Sequence, residues 1–271
     1  MFLNYFIDVD YFFVYKYTMR LENKSKINRL IADWPVGAIY VTSWLKNAGI
    51  SNQLLNRYKK SNWLSPVAPG ALKRFQDEVT YQGAIYALQK QLDSSIHIGA
   101  KTALELQGKA HYLQLGNATA TLFGGSEDKL PTWFNKADWK VKTEYYSTSF
   151  LPPELGLVDF ELETFSVKIS NPARAIMECL YLAPKKQELM ECYELLEGLG
   201  NLRPQQVQAL LEACTSVKVK RLFLFLSEKA NHSWFEYLDI SKIDLGSGKR
   251  SIVPNGVFNA KYQITVPIEL A

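Results

Sequence analysis

The sequence is poor in the residues that mark metal sites and disulfide frameworks. It contains only 3 cysteines and 3 histidines in 271 residues. The cysteines are Cys179, Cys192 and Cys214. They have no C-x-x-C spacing and lie in apolar, helix-like sequence, which predicts buried free thiols in an intracellular protein. The histidines are far apart, so the sequence predicts no metal site and no cofactor; they are His97, His111 and His232.

The sequence also has no long apolar run and no secretory leader. Residues 1–18 are rich in aromatic side chains, but Asp8 and Asp10 interrupt them. A basic start and a small-residue cleavage site are missing, and the run is too short and too polar to span a bilayer. We therefore expect a cytoplasmic protein with no membrane partner. Met19 opens a more ordinary beginning, so residues 1–18 are either an extension that packs as a strand or the result of a mis-assigned start codon.

The composition is that of a globular protein with an uneven charge distribution. Hydrophobic residues make up 47% and charged residues 21% of the chain, and its length allows two domains. Residues 19–75 contain ten basic and two acidic residues, a net charge of +8. Because the whole chain carries +4, the remainder carries −4. Concentrated basic charge is typical of a surface that binds phosphate.

The most informative segment is Val41–Lys60, which has the pattern of two short helices joined at Gly49. Six apolar residues can face one core: Trp44, Leu45, Ala48, Ile50, Leu55 and Tyr58. Five polar residues are then left on the outer face of the second helix: Ser51, Asn52, Gln53, Asn56 and Arg57. A helix-turn-helix has this pattern, and its second helix reads base edges in the major groove of DNA.

The flanking sequence predicts a winged helix over about residues 20–75. Residues 22–33 have helical apolar spacing, residues 39–41 are typical of a short strand, and Thr42 or Ser43 is placed to cap the next helix. Two extended pieces around a Pro/Gly tip, within residues 63–74, predict the wing. We expect Trp63 to pack beneath that wing.

The rest of the chain predicts a larger α+β domain. The predicted boundaries are 1–18 for the extension, 19–76 for the winged helix and 77–271 for the second domain. Predicted helices cover 80–92, 101–107, 172–183, 186–198, 204–215 and 217–229. Predicted strands cover 96–99, 112–115, 118–123, 139–145, 157–162, 165–169, 251–253 and 262–266. The sequence therefore predicts a mixed sheet with a late helical segment.

Two motifs resemble enzyme sites but fail on spacing. Gly246-Ser247-Gly248-Lys249 resembles part of a phosphate-binding loop, but the preceding glycine and the following Ser or Thr are missing. We therefore interpret it as a glycine-rich turn between strands. Four charged residues resemble a nuclease cluster: Asp159, Glu161, Glu163 and Lys168. An odd spacing puts Glu163 and Lys168 on opposite faces of a strand, which favours a solvated sheet face.

Two further features have structural explanations. Ser147 and Ser149 have no neighbouring His or Asp that would make a nucleophile, so we predict no catalytic residue. Arg174 lies at a predicted helix start, where a cation opposes the helix dipole. We expect Arg174 to pair with an acidic residue or to bridge to the neighbouring domain.

Three further segments give the chain a family resemblance. They are Ile98–Gly108, Asn171–Glu178 and Leu245–Arg250. Together with the basic winged helix, they resemble the AbiEi antitoxins of bacterial type IV toxin–antitoxin systems. The resemblance implies a regulator that represses its own operon at inverted-repeat operators, and a second domain that antagonises a nucleotidyltransferase-like toxin encoded alongside. It implies no enzymatic residues, and residues 1–18 depart from the family pattern.

The sequence thus predicts double-stranded operator DNA and a cognate toxin as partners. The candidate DNA-binding residues are Thr42, Ser43, Ser51, Asn52, Gln53, Asn56, Arg57, Lys59, Lys60, Lys73 and Arg74. Two alternatives stay open on the residues alone. In one, the winged helix contacts protein and the second domain is a nuclease or another enzyme. In the other, the chain is an antitoxin scaffold whose winged helix no longer binds DNA.

Overall fold

The computed structural model of the protein describes residues 26–110 and 119–271. Several predictions lie outside the described residues: the N-terminal extension, the first turn of the predicted first helix, His111 and the strand expected at 112–115. Within the described part of the chain, no helix is both long enough and apolar enough to cross a membrane.

The N-terminal part is a winged helix, as predicted. Its elements are α1 (Lys26–Asp33), β1 (Tyr40–Val41), α2 (Thr42–Asn47), α3 (Asn52–Lys60), β2 (Leu64–Ala68) and β3 (Ala71–Arg74). The strands form an antiparallel sheet in the order β1-β3-β2. Ten of the described residues are buried together in the core under the helices, among them Trp34, Leu45, Leu55 and Tyr58. The Trp34 indole N–H donates to the carbonyl of Ala38 at 2.8 Å, which ties the end of α1 to the start of β1.

A five-stranded mixed sheet organises the larger part of the chain. The elements that build it and cover it are α4 (Tyr81–Gln91), β4 (His97–Ile98), α5 (Ala100–Leu106), β5 (Thr119–Gly124), α6 (Thr132–Lys136), β6 (Lys142–Ser147), β7 (Leu157–Glu161), β8 (Ser166–Ser170) and α7 (Pro172–Leu182). The strand order is β6-β5-β4-β8-β7. Strand β4 runs antiparallel to β5 and parallel to β8.

The C-terminal part is helical and ends in a small sheet. It contains α8 (Leu189–Glu197), α9 (Pro204–Ala213), α10 (Val217–Lys229), β9 (Arg250–Ser251), β10 (Val257–Asn259) and β11 (Ile264–Val266). Helix α10 packs against α7, whose buried residues include Ile176, Met177 and Leu180. The fold is therefore α+β, as predicted. The domain boundary proposed near residue 76 stays a prediction.

Four details of the predicted elements are wrong. The strand predicted at 139–145 is β6 at Lys142–Ser147, because Trp139 is buried before the strand and donates from its indole to the carbonyl of Phe134. The helix predicted from residue 186 begins at Leu189. The strand predicted at 251–253 is the two-residue β9, which starts one residue earlier. Helix α6 and strand β10 were not predicted, since both are too short for periodicity to show.

Helix α4 joins the winged helix to the large sheet through two glutamine side chains. Gln91 accepts from the N–H of Val41 and donates to the carbonyl of Ile39, both at 2.8 Å, so its amide pairs with the edge of β1. Gln89 makes the equivalent pair with Lys168 in β8, at 2.8 and 3.0 Å. Each amide satisfies backbone groups that have no strand partner: those of β1 lie at the edge of its sheet, and those of Lys168 lie beyond the end of the short β4.

The same helix approaches the winged helix closely at Gly83. A Cβ at this position would lie 2.1 Å from the carbonyl oxygen of Gly37. The N–H of Ile39 also donates to the carbonyl of Gly83 at 3.3 Å. Only glycine allows this backbone-to-backbone contact, so Gly83 sets the distance between the two parts.

A buried ionic network fixes α7 against β4 and β8. The carboxylate of Glu178 is fully buried and accepts from Arg174, Ser170 and the N–H of Ala100 at 2.7–2.8 Å, and from His97 at 3.1 Å. Arg174 also donates to three carbonyls between residues 152 and 155. The expectation that Arg174 pairs with an acidic residue is confirmed, and its other contacts are within the second domain.

Charge governs the protonation of this network. Burial by itself would raise the pKa of Glu178, but the hydrogen bond and charge of His97 and the charge of Arg174 lower it to about 2.

The three cysteines are free and buried, as predicted, and burial raises their thiol pKa values. Their thiols are therefore unreactive.

Replacing Glu178 by glutamine removes the charge that compensates the buried guanidinium of Arg174. We expect Glu178→Gln to lower the free energy of unfolding by about 3–5 kcal/mol, because a buried charge is left without its partner. Urea denaturation at neutral pH measures this loss. Glu194→Gln, an exposed site on α8, is the matched control and should change stability by less than about 0.5 kcal/mol.

The same pair of proteins tests the pKa. Since folding lowers the pKa of Glu178 from 4.5 to about 2, its contribution is full above the unfolded value and is lost as the pH falls toward the folded one. The stability gap between the wild type and Glu178→Gln should therefore narrow on acidification. A stability difference that stays constant or widens as the pH falls would contradict the lowered pKa of Glu178 in the folded protein.

The close contact at Gly83 gives a second prediction. We expect Gly83→Ala to destabilise the protein by about 1–3 kcal/mol, because the added methyl group forces α4 away from Gly37 and outweighs the better helix propensity of alanine. The control is Gly200→Ala, where the nearest atom to an added Cβ is 3.8 Å away. If the two variants unfold at the same urea concentration, the close approach of Gly83 to Gly37 does not affect stability in the way that we expect.

Candidate nucleic-acid interface

Helix α3 presents one polar face to solvent. Leu55 and Tyr58 are buried on its inner side, with 3% and 5% of their surface exposed. The predicted outer residues are all exposed: Ser51, Asn52, Gln53, Asn56 and Arg57. Lys59 and Lys60 are exposed in the last turn, where cations also complement the helix dipole. The structure therefore assembles these seven residues on one continuous surface, which we call the α3 face.

The turn between α2 and α3 is fixed by two residues. Gly49 has a φ of +85°, a left-handed conformation that favours glycine. Ser51 is the N-cap of α3, and its hydroxyl oxygen accepts from the N–H of Leu54 at 3.2 Å. Capping occupies the oxygen of Ser51 but leaves its hydroxyl proton available for a phosphate or a base.

Two predictions about this motif are wrong. Ala48 is exposed rather than buried, because α2 ends at Asn47 and Ala48 already belongs to the turn. Neither Thr42 nor Ser43 caps α2, since Val41 is the N-cap and the N–H of Thr42 donates to the carbonyl of Gly70 at 2.8 Å. Thr42 is half-buried and Ser43 is exposed.

The β2–β3 hairpin has the predicted wing topology, but its tip packs against the second domain. Ala68 and Ala71 on either side of the tip belong to the large core. A Cβ on Gly70 would lie 3.9 Å from the Trp133 ring of α6. Trp63 was expected to pack beneath the wing, but 44% of its surface is exposed. It lies in the short connection between the end of α3 at Lys60 and the start of β2 at Leu64.

The two basic residues of the hairpin both contact Asp77, which follows β3 at the boundary predicted between the winged helix and the second domain. Lys73 donates to the carbonyl of Asp77 at 2.5 Å, and Arg74 lies 3.6 Å from the Asp77 carboxylate. Arg74 also donates to the carbonyl of Trp34 at 3.3 Å. Because these internal contacts hold both side chains, Lys73 and Arg74 are less available to extend the α3 face than the sequence predicts. Contact of Lys73 and Arg74 with phosphate stays a prediction.

The structure adds one basic residue to the candidates. Lys46 is exposed in the last turn of α2, immediately before the turn that leads into α3. Lys46 is one of the ten basic residues counted in residues 19–75, but the predicted set of outer polar residues came from the second helix of the motif alone. A lysine at this position is a candidate phosphate contact, since the first helix of such motifs crosses the DNA backbone.

The acidic residues near β7 do not form a nuclease site. Asp159 and Lys168 are direct partners in neighbouring strands and form a salt bridge at 2.8 Å, so they neutralise each other. Glu163 lies in the turn beyond β7, away from the strand register. Within residues 26–110 and 119–271, no group of three or more acidic, His or Cys side chains could hold a metal ion.

The Gly246–Lys249 turn binds an internal cation rather than a phosphate. Arg221 of α10 donates to the carbonyls of Leu245, Gly246 and Gly248 at 2.7–3.1 Å. A phosphate-binding loop instead directs its N–H groups at the ligand. The turn was expected between strands, but it connects a 3-10 segment at Ile240–Lys242 with β9.

Comparison with known proteins agrees with this architecture. Residues 23–115 match the family described as transcriptional regulator, AbiEi antitoxin N-terminal domain. Residues 117–267 match the family described as transcriptional regulator, AbiEi antitoxin, type IV TA system. No curated protein sequence matches the chain.

The fold is also seen in a solved structure. It is the crystal structure of the RV2827C protein from Mycobacterium tuberculosis, which is 13% identical, covers 88% of each chain and gives a TM-score of 0.55. At this identity the likeness shows the fold alone. The two family matches together span nearly the whole sequence, and the chain therefore belongs to the AbiEi antitoxin family of transcriptional regulators from type IV toxin–antitoxin systems.

Proposed function

We propose that the protein represses its own operon by placing α3 in the major groove of an inverted-repeat operator, and that its second domain antagonises a nucleotidyltransferase-like toxin encoded alongside. The observation that carries the DNA-binding proposal is the α3 face. Its seven polar or basic residues are exposed together, while the opposite side of the same helix is buried. The family membership supports the regulatory and antitoxin roles.

The chemistry of the α3 face suits direct readout of bases. Asn52, Gln53 and Asn56 each carry an amide that can bind adenine through two hydrogen bonds, and Arg57 can bind guanine in the same way. These residues lie in the first two turns of α3, the part of a recognition helix that meets base edges. Ser51 would contact a base or phosphate through its hydroxyl proton.

Phosphate contacts would come from the residues around this helix. Lys59 and Lys60 are exposed beside the base-reading residues, and Ser43 is exposed at the start of α2. Such contacts set position and affinity without reading sequence. Thr42, Lys73 and Arg74 would contribute less, because each is partly buried in the structure.

An inverted repeat implies two copies of the protein on one operator. Each copy would insert its α3 into one half-site, with half-sites about 34–36 Å apart or a multiple of that distance. In this proposal the protein acts in the cytoplasm, uses no cofactor and performs no chemistry itself. The direct test is footprinting on the promoter of its own operon. A folded protein that gives no protection at low salt would contradict the proposal.

Two single substitutions separate base readout from phosphate binding. We expect Arg57→Ala to weaken operator binding by about 1–3 kcal/mol and to relax specificity at one base pair. Lys60→Ala should weaken binding to all sequences similarly and reduce the slope of log K against log salt by about 1. Fluorescence anisotropy with operator and scrambled duplexes at several salt concentrations measures both effects.

The matched control is Lys229→Ala, which removes an exposed lysine from the end of α10. It should leave operator affinity unchanged. If Lys229→Ala weakens binding as much as Lys60→Ala, general charge rather than the α3 face would account for the affinity.

The antitoxin role should be separable from DNA binding. We expect Arg57→Ala to restore growth as well as the wild type does when the toxin and this chain are expressed from separate, unrelated promoters. The reason is that Arg57 lies on the α3 face and not in the second domain. Growth assays with matched protein levels, checked by immunoblot, measure this. Loss of rescue would show that neutralisation also needs the α3 face.

A further inference from the structure

A cavity on the second domain collects positive charge without carboxylates. Its volume is about 520 Å³, and it lies between β6, the end of α7, the start of α10 and β9. Lys185, Lys186 and Lys218 line it, together with Tyr146, Tyr181 and Ile252. None of the residues lining it is Asp or Glu. We call it the lysine cavity, and it contains none of the candidate DNA-binding residues.

Lys218 is held in place at the wall of this cavity. Its ammonium group donates to the carbonyls of Tyr181 and Ala183 at 2.7 and 2.6 Å, which leaves one N–H free. The ammonium also lies 5.6 Å from the centroid of the Tyr181 ring, and that ring stacks on Phe150 at 4.5 Å. A cation fixed in this way is already ordered before any ligand binds.

Repulsion between the lysines is not relieved inside the cavity. Burial lowers the pKa of Lys218, and the charge of neighbouring Lys185 acts in the same direction. Lys186 has a nearby carboxylate, Glu144, but that group belongs to the adjoining cavity and already binds Lys142 and Tyr146. An anion between Lys185 and Lys218 would offset the repulsion and favour the charged form of Lys218.

The adjoining cavity supplies an unused donor. It has a volume of about 250 Å³ and shares Tyr146, Leu182 and Lys186 with the lysine cavity. Gln187 lines it, and the amide nitrogen of Gln187 is buried with no hydrogen-bond partner. A buried donor without an acceptor is costly, and a rotation of the Gln187 side chain would let this nitrogen donate to a molecule bound in the adjoining cavity.

We propose that the lysine cavity binds a phosphate-bearing ligand of nucleotide size, either a free nucleotide or the phosphorylated end of a nucleic-acid strand. Lys185, Lys186 and Lys218 hold the phosphate by charge-assisted hydrogen bonds. The aromatic and aliphatic wall at Tyr146, Tyr181 and Ile252 accommodates the organic part. The volume is within the range of about 300–1,000 Å³ that is usual for small-molecule sites.

Calorimetric titration of the full chain tests this with four probes: AMP, adenosine, inorganic phosphate and a 5′-phosphorylated dinucleotide. We expect AMP to bind, inorganic phosphate to compete with it, and adenosine to bind at least about tenfold more weakly than AMP. Tighter binding of the dinucleotide than of AMP would identify a strand end as the source. Equal or weaker binding would identify a free nucleotide.

The matched variants are Lys185→Gln combined with Lys186→Gln, and Lys136→Gln as the control. All three lysines are exposed, so folding should be preserved. The double variant should lose at least about tenfold in AMP affinity, and Lys136→Gln should keep wild-type affinity. Operator binding should be unchanged in the double variant, which separates this test from that of the DNA-binding proposal. Undetectable binding of AMP, phosphate and dinucleotide, equal affinity for adenosine, or an unaffected double variant would overturn the proposal.

Discussion

The position of α3 depends on how α4 contacts the two parts of the protein. Toward the winged helix, Gly83 in the first turn of α4 approaches the backbone of Gly37, and Gln91 at the last residue of α4 completes the edge of β1. Toward the large sheet, Gln89 pairs with the backbone of Lys168 in β8. Because these are bidentate contacts to backbone rather than side-chain packing alone, they fix direction as well as distance. The orientation of α3 is therefore set by the second domain as well as by its own core.

The hairpin of the winged helix takes part in the same connection. Its tip packs on Trp133 of α6, and its basic residues Lys73 and Arg74 turn toward Asp77. In this protein the hairpin thus joins two domains, and the proposed DNA contacts concentrate on α3. This arrangement leaves a smaller surface for the proposed phosphate contacts, to which the exposed Lys46 and Lys60 would add from the helices.

Several charged residues of the second domain stabilise its structure. Glu178 pairs with Arg174 and forms a hydrogen bond with His97 in the core, and Arg221 donates to the carbonyls of the glycine-rich turn. Two of the segments that carry the family resemblance, Asn171–Glu178 and Leu245–Arg250, therefore take part in internal polar networks. Buried charges must be paired or hydrogen-bonded, which gives these segments a structural reason for their residue types. The lysine cavity differs from them, because its cations face an open space.

The sequence alone determined the winged helix, the α+β class and the outer residues of α3, and pairing with an acid was one of two expectations that it supported for Arg174. These follow from local rules, since apolar spacing along one helix decides which side chains, such as Leu55 and Tyr58, are buried. Short elements such as α6, and the capping role of Val41, escaped those rules because contacts distant in sequence define them. Only the tertiary structure decided that the hairpin tip docks on α6, that α4 joins the two parts, and that three lysines line one cavity. The physical reason is that packing brings together residues whose spacing along the chain carries no information about their distance in space.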